Sequence, residues 1–232
     1  MPAGGASPKS GTAGGEGSGR GAGGERDSRR RILDAAAAQF GRNGFGGART
    51  QAIADEAGVN KAMLYYHFQD KEALYAAALE DQFKAAVRRI LPRFLEEGPG
   101  AAERLLGVIR GYGAFFASHP HMRNMMLREI ADGGERFREV FEAVKEDVPG
   151  FGPDLLRERI EALMARGDLR RQDPEQVLLH LISLAIFPHL ARPILRVLWD
   201  FDDEALEGLM EERPGAILEL FRHGLLNGEE GA

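Results

Sequence analysis

Thr50-Gln51-Ala52-Ile53-Ala54-Asp55-Glu56-Ala57-Gly58-Val59-Asn60-Lys61-Ala62-Met63-Leu64-Tyr65-Tyr66-His67-Phe68 is the stretch on which the fold turns. Ile53 and Ala57 stand four apart, the spacing that puts two side chains on one helix face. Gly58 then supplies the left-handed backbone that a tight turn needs. Asn60 is suited to cap a second helix, because its side-chain oxygen can accept a free N–H of the first turn. In that helix Leu64 and Phe68 repeat the four-residue spacing, so they, with Ile53 and Val59, are expected in the core. Two short helices at a glycine corner predict a helix-turn-helix. Its second helix is of a size to enter a DNA major groove, roughly 12 Å wide.

The pattern extends in both directions. Upstream, Ile32, Ala36 and Phe40 share a face, and Asn43-Gly44 reads as that helix's end. The helix is expected to start at Ser28. Residues 1–27 are rich in Gly, Ala and Ser; ten of the thirty glycines fall in the first 25 positions, so a disordered tail is expected there. Downstream, Asp70 is positioned to cap a longer helix carrying Leu74, Ala78 and Phe83. Further amphipathic segments follow, broken at His119-Pro120, Pro149-Gly150 and Gly167-Asp168. Asp173, Pro174 and Gln176 open a very apolar helix expected to run through Phe187, after which Pro188 and Pro193 interrupt the chain. A last helix is expected from about Pro214 to Leu226. No strand-like alternation longer than a few residues occurs, so the predicted class is all-α.

Composition narrows the function. Hydrophobic residues make up 44% of the 232 residues, a globular value. The absence of cysteine excludes disulfides, thiolate zinc sites and a cysteine nucleophile. No apolar run is long enough for a membrane span and the first residues have no hydrophobic stretch, so a cytoplasmic protein is expected. The net charge of −6 is unevenly spread. Residues 26–71 hold eight Arg or Lys against five Asp or Glu, whereas residues 72–232 carry a net −9. A local basic surface can meet phosphates on an acidic chain, because exposed charges are screened beyond roughly 8–10 Å. Arg26, Arg29, Arg30 and Arg31 add to that surface or simply solvate a helix start.

More specific residues surround the helix-turn-helix. Arg30-Arg31-Ile32-Leu33-Asp34-Ala35-Ala36, then Phe40, Gly44-Phe45, the Thr50 to Phe68 stretch and Asp70-Lys71-Glu72-Ala73-Leu74 follow one another in register. Over residues 28–83 this series resembles the DNA-binding domain of the TetR family of transcriptional regulators. The resemblance implies that residues 28–72 form the DNA-binding domain and residues 73–227 a helical effector-binding and dimerisation domain, with a tail at 228–232. It further implies that Gln51, Lys61, Ala62, Met63 and Tyr65 face bases, and that Thr50, Tyr66, His67 and Lys71 hold phosphates. The chemistry accords with that division: Lys61 can donate to guanine, Met63 can pack on a thymine methyl, and hydroxyls, an imidazole and a helix-start lysine make short-range phosphate contacts. Tyr65 also reads as a packing residue, and Lys61 as a phosphate contact. Arg49 departs from the small hydroxyl residue that relatives often carry at the start of the first of these helices.

The same resemblance implies a repressor that binds a pseudo-palindromic double-stranded DNA operator as a homodimer and is released by a small apolar effector. The helix at 174–187, apolar nearly all round, and the last helix at 214–226 suit a four-helix interface between two copies, or burial within one. Phe83, Tyr112, Phe116, Met122, Met125, Met126, Met164 and Phe187 are candidate cavity residues, although aromatic and methionine side chains at helical spacing are equally ordinary core. His119, Arg123, Arg128, Glu129 and His189 are candidate polar contacts to an effector. No spacing of nucleophile and base suggests an enzyme, and no cofactor is expected. His119-Pro120-His121 lacks a third ligand, so no metal is expected either. The competing reading is a DNA-binding accessory or chromosome-organising protein of the same fold that answers to no ligand.

Overall fold

A computed structural model describes residues 19–97 and 100–227, and every regular element among them is helical. The first helix, α1, runs Gly19–Gly47, with Gly44 at φ 70° breaking its regular geometry near the end. Helices α2 (Thr50–Ala57) and α3 (Lys61–His67) meet at the Gly58 corner, and α4 (Lys71–Leu95) leads away from them. The larger body is built from α5 (Ala101–Ser118), α6 (Pro120–Ala131), α7 (Glu135–Asp147), α8 (Pro153–Ala165), α9 (Pro174–Leu190), α10 (Arg192–Trp199) and α11 (Asp203–Gly224).

Three expected boundaries shift. The chain is already helical at Gly19, so residues 19–27 are not the tail the glycine content suggested. Partners on α3 hold this added turn in place: the Tyr66 hydroxyl donates to Glu25 at 3.0 Å, and Ser28 Oγ lies 2.9 Å from His67 Nε2. The expected tails at 1–18 and 228–232 lie outside the described residues. The apolar helix α9 passes Pro188 and ends at Leu190, since a proline near a helix end removes a single N–H bond and its ring here is buried. The last helix starts at Asp203 rather than Pro214. Asp202 accepts the Ala205 N–H at 2.8 Å, and Leu206 and Met210 extend the buried stripe of Ile217, Leu218 and Phe221 backwards across the proline. The caps expected at Asn60, Asp70 and Asp173 each accept the N–H three residues on, at 2.7, 2.7 and 2.9 Å.

One continuous core runs through both parts of the molecule. Ile32, Ala36, Phe40, Ile53, Leu64 and Leu74 fill the interior of the first four helices. Arg30 on α1 reaches Asp81 on α4 at 3.0 Å across their surface. Farther along, α4 lays Ala86, Val87, Ile90 and Phe94 into the larger body. The tightest meeting of the two parts is α1 on α6. A Cβ on Gly41 would stand 2.7 Å from His121 Cβ, so only glycine permits this approach, and Asn124 Nδ2 donates to the Gly41 carbonyl at 3.0 Å. Beside it, the buried Tyr75 hydroxyl of α4 donates to Glu129 of α6 at 2.8 Å, and Glu129 accepts the Phe137 N–H of α7 at 3.2 Å. Burial and the Glu129 carboxylate raise the Tyr75 phenol well above its ordinary range. Thus a buried carboxylate with partners on two helices joins α4, α6 and α7.

Candidate nucleic-acid interface

The surface of α3 follows from its short length and two anchors. Leu64 is wholly buried and Phe68, the residue after the helix, is 5% exposed, so the opposite face must point outward. Lys61, Ala62, Met63, Tyr65 and Tyr66 form that face. Gly58 at φ 63° turns the chain between the helices. Its N–H and that of Val59 bond back to Asp55 and Ala54 at 3.1 and 3.0 Å, which fixes the corner without side chains. Asn60 closes the other end of the turn through Met63 N–H.

Side chains then link the two helices. Thr50 Oγ1 lies 3.3 Å from the Tyr65 hydroxyl, and the Lys61 ammonium sits 5.7 Å from the centre of the Tyr65 ring. Tyr65 therefore packs and presents at once: its ring supports Lys61 while 42% of the residue remains exposed. Gln51 donates to Asp55 at 2.8 Å within α2. At the entrance to α2, Arg49 makes no side-chain cap bond.

The structure ties Thr50, Lys61 and Tyr65 together, leaves Gln51 and Ala62 exposed, and sets Met63 and Tyr66 beside Glu25 and the Gly58 turn. His67 and Lys71 are placed differently. His67 is half-buried and turned back to Ser28. The Lys71 ammonium lies over the Phe45 ring at 4.8 Å, at the first residue of α4. A residue not singled out in the sequence also belongs here. Glu25 holds the Tyr66 hydroxyl, raises its pKa through that hydrogen bond, and places a carboxylate at the rim of a basic surface.

The candidate effector residues do not converge. Phe83 belongs to an aromatic cluster with Phe137 at 5.0 Å and Phe151 at 5.9 Å. Phe116, Met122 and Met125 are buried core, whereas Tyr112, Met126 and Met164 pack against it from partly exposed positions. Burial pushes the Tyr112 phenol up to about 12. Phe187 departs furthest, being 61% exposed on the outer side of α9. A helix apolar all round must turn some of that surface away from its own core.

Residues 32–78 match the profile of the bacterial regulatory proteins, tetR family. Residues 32–78 are thus a helix-turn-helix segment of the tetR type. The segment spans α2, α3 and the parts of α1 and α4 that enclose them. The HTH-type transcriptional repressor SCO4008 of Streptomyces coelicolor is 32% identical over 104 residues, covering 45% of this chain and 50% of that protein. The HTH-type transcriptional regulator RutR of Escherichia coli is 52% identical over 48 residues, covering 21% and 23%. This chain thus spans half or less of the length of these curated relatives in the matched region. Solved structures extend the likeness of fold to the larger body. A TetR transcriptional regulator from Chloroflexus aurantiacus superposes with a TM-score of 0.67 at 19% identity, covering 88% of this chain and 99% of that one. The regulator FadR from Bacillus subtilis, in complex with stearoyl-CoA, superposes with a TM-score of 0.63 at 17% identity, covering 82% and 97%. Among the described residues no single helix is long and apolar enough to cross a membrane.

Proposed function

We propose that this TetR-family chain is a homodimeric transcriptional repressor that binds a pseudo-palindromic double-stranded DNA operator and leaves it when a small effector binds the larger helical body. The observation that carries the reading is the outward face of α3, where Lys61, Met63, Tyr65 and Tyr66 project from a helix anchored by Leu64 and Phe68. In this assignment Gln51, Lys61, Ala62, Met63 and Tyr65 meet base edges. Thr50, Tyr66, His67 and Lys71 meet the backbone, with His67 exchanging its Ser28 contact for a phosphate. Residues 28–72 would bind DNA and residues 73–227 the effector and the second copy.

Two comparisons support the finer points. SCO4008 is a repressor, and FadR was crystallised with stearoyl-CoA, a ligand with a long apolar chain. Effector control needs two states that bind the ligand unequally, and a path between the sites. The α1–α6 contact at Gly41 and Asn124 and the Tyr75–Glu129 bond provide such a path, because a displaced α6 would carry α1 and α4 with it.

Gel shift on the DNA flanking this protein's own gene tests the reading. A specific shift is expected, weakening steeply as salt rises. Addition of apolar compounds should release it. Absence of any specific shift would overturn the regulator assignment, and a shift indifferent to every compound would favour a ligand-independent DNA-binding protein.

A further inference from the structure

Two open grooves, of about 510 and 410 Å³, meet at Arg123, His189 and Arg192, where α5, α6, α9, α10 and α11 come together. Arg123 is half-buried on α6 and makes no hydrogen bond or ion pair among the described residues. Its neighbours are paired: Arg192 with Glu207, and Arg196 with Asp203 at 3.0 Å. Across both grooves four guanidinium groups face three carboxylates, counting Arg110 and Glu211. One positive charge is therefore in excess. His189 adds none at neutral pH, since burial and then the adjacent Arg192 and Arg123 push it down to about 4. Its ring lies on Phe116, with centroids 5.3 Å apart. The exposed Ala117 and Pro120 line one groove beside the nearly buried Phe116 and Met210, and the exposed Leu127 and Val197 line the other, so apolar surface adjoins the unpaired cation on both sides.

We infer that this junction binds a monovalent organic anion with an apolar body, a carboxylate held by Arg123 with its hydrocarbon along Ala117 and Pro120. A guanidinium offers a carboxylate two parallel donors. The single excess charge matches a monoanion, whereas a dianion would leave uncompensated charge facing Asp203, Glu207 and Glu211. The inference rests on the effector reading and relocates it, because of the eight aromatic and methionine candidates only Phe116 borders either groove. It also supplies the link to DNA. Asn124, beside Arg123 in the groove wall, is the residue that holds the Gly41 carbonyl of α1.

Calorimetric titration of the full-length protein with sodium octanoate at pH 7.5, without DNA, tests the site. Saturable binding is expected. Octan-1-ol and octylamine, which share the chain and lack the anion, should bind at least tenfold more weakly, and inorganic phosphate should not compete. Arg123→Gln should lower octanoate affinity tenfold or more, the loss expected for a charge-assisted hydrogen bond. It should leave the melting temperature unchanged, because no internal pair is broken. Arg138→Gln, on the exposed side of α7, serves as the folded control and should bind normally. Absence of saturable octanoate binding, equal binding by octan-1-ol, or equal binding by the Arg123 variant would each overturn the site. Gel shift separates this from the effector reading. Arg123-dependent octanoate binding that leaves DNA affinity unchanged would keep the site and remove the control. Release of DNA by an uncharged compound that the Arg123 variant still obeys would keep the control and remove the site.

Discussion

At the scale of single residues, Arg49 shows a local rule broken at the entrance to the helix-turn-helix. Its backbone is extended, as an N-cap requires, yet its side chain satisfies none of the free N–H groups of α2. Arg49→Ser should restore that bond and raise stability by about 0.5–1 kcal/mol, read as a higher urea midpoint at unchanged slope. The same variant should bind DNA less tightly, because it removes an exposed cation beside α2. Glu25 presents the reverse case. Its carboxylate occupies the Tyr66 hydroxyl and faces the approaching phosphates. Glu25→Gln should therefore tighten binding to all DNA sequences alike by about threefold at low salt, with the gain fading as salt rises. Altered base preference would instead place Tyr66 at a base. His189 carries a pH signature. Burial and Arg192 keep its folded pKa near 4, below the value of roughly 6.5 in an unfolded chain. Above pH 6.5 the ring is neutral in both states and imposes no penalty. As pH falls from 6.5 towards 4 the unfolded chain takes up the proton first, and stability is lost. Between pH 7.5 and 5, His189→Gln should lose less stability than the wild type, by about 1 kcal/mol once the exposed edge of the ring is allowed for. Equal losses in the two proteins would show that the ring titrates normally.

Among the elements, the contact of α1 with α6 is the one whose disruption should reach both stability and DNA binding. A Cβ at position 41 meets not a flexible side-chain tip but the Cα and Cβ of His121, at 2.9 and 2.7 Å. Gly41→Ala should thus force the helices apart, lowering stability by about 1–3 kcal/mol and changing operator affinity by a different factor in the presence and absence of effector. An unchanged ratio would show that α6 does not report to α1 through this face. Nothing in the sequence singles out Gly41, because a glycine inside a helical pattern looks the same whether it meets solvent or another backbone. The Tyr75–Glu129 bond was equally hidden, for its partners stand 54 positions apart and Glu129 reads in the sequence as a contact to an effector rather than to Tyr75. What the sequence did reveal was local chemistry. Asn60, Asp70 and Asp173 act as caps, and Gly58 turns the corner, because each function depends on a few adjacent residues. The errors arose where distant packing overrode a local signal. Glycine-rich residues 19–27 are helical beneath α3, and Pro188 and Pro214 lie inside helices whose buried stripes continue past them. The corner itself was readable because its motif is short and contiguous, whereas the Arg123 groove gathers residues from five helices.

For the whole molecule, the outstanding feature is the apolar surface exposed on a single chain. Leu179 and Phe187 on α9 are 56% and 61% exposed, and Leu220 on α11 is 58% exposed. These are the helices in which a two-copy interface was expected, at 174–187 and 214–226. The helix between them was not anticipated, and none of its residues between Arg192 and Trp199 is buried; Ile194, Val197, Leu198 and Trp199 all face outward. Fully burying a side chain of this size gains roughly 1.5–3 kcal/mol, so a single chain forgoes a large stabilisation. An isologous pair would recover it twice over, since each copy presents the same patch to the other. The pairing also bears on DNA recognition. The contact face of α3 is only seven residues long, and a second copy roughly 34–36 Å away along the duplex would double the contacts without a longer motif. Sedimentation should therefore show a dimer for the wild type at micromolar concentration. Leu179→Glu combined with Leu220→Glu should shift it to monomer while circular dichroism keeps its helical signal. The monomer should lose most of its affinity for a full pseudo-palindrome but keep its weak affinity for a half-site, because the α3 surface is untouched. Val197→Glu on α10 divides the possibilities further: if it also yields monomers, the interface extends over α10, and if the dimer persists, that helix lies outside the contact. A wild type that sediments as a monomer with full operator affinity would defeat the two-copy arrangement altogether.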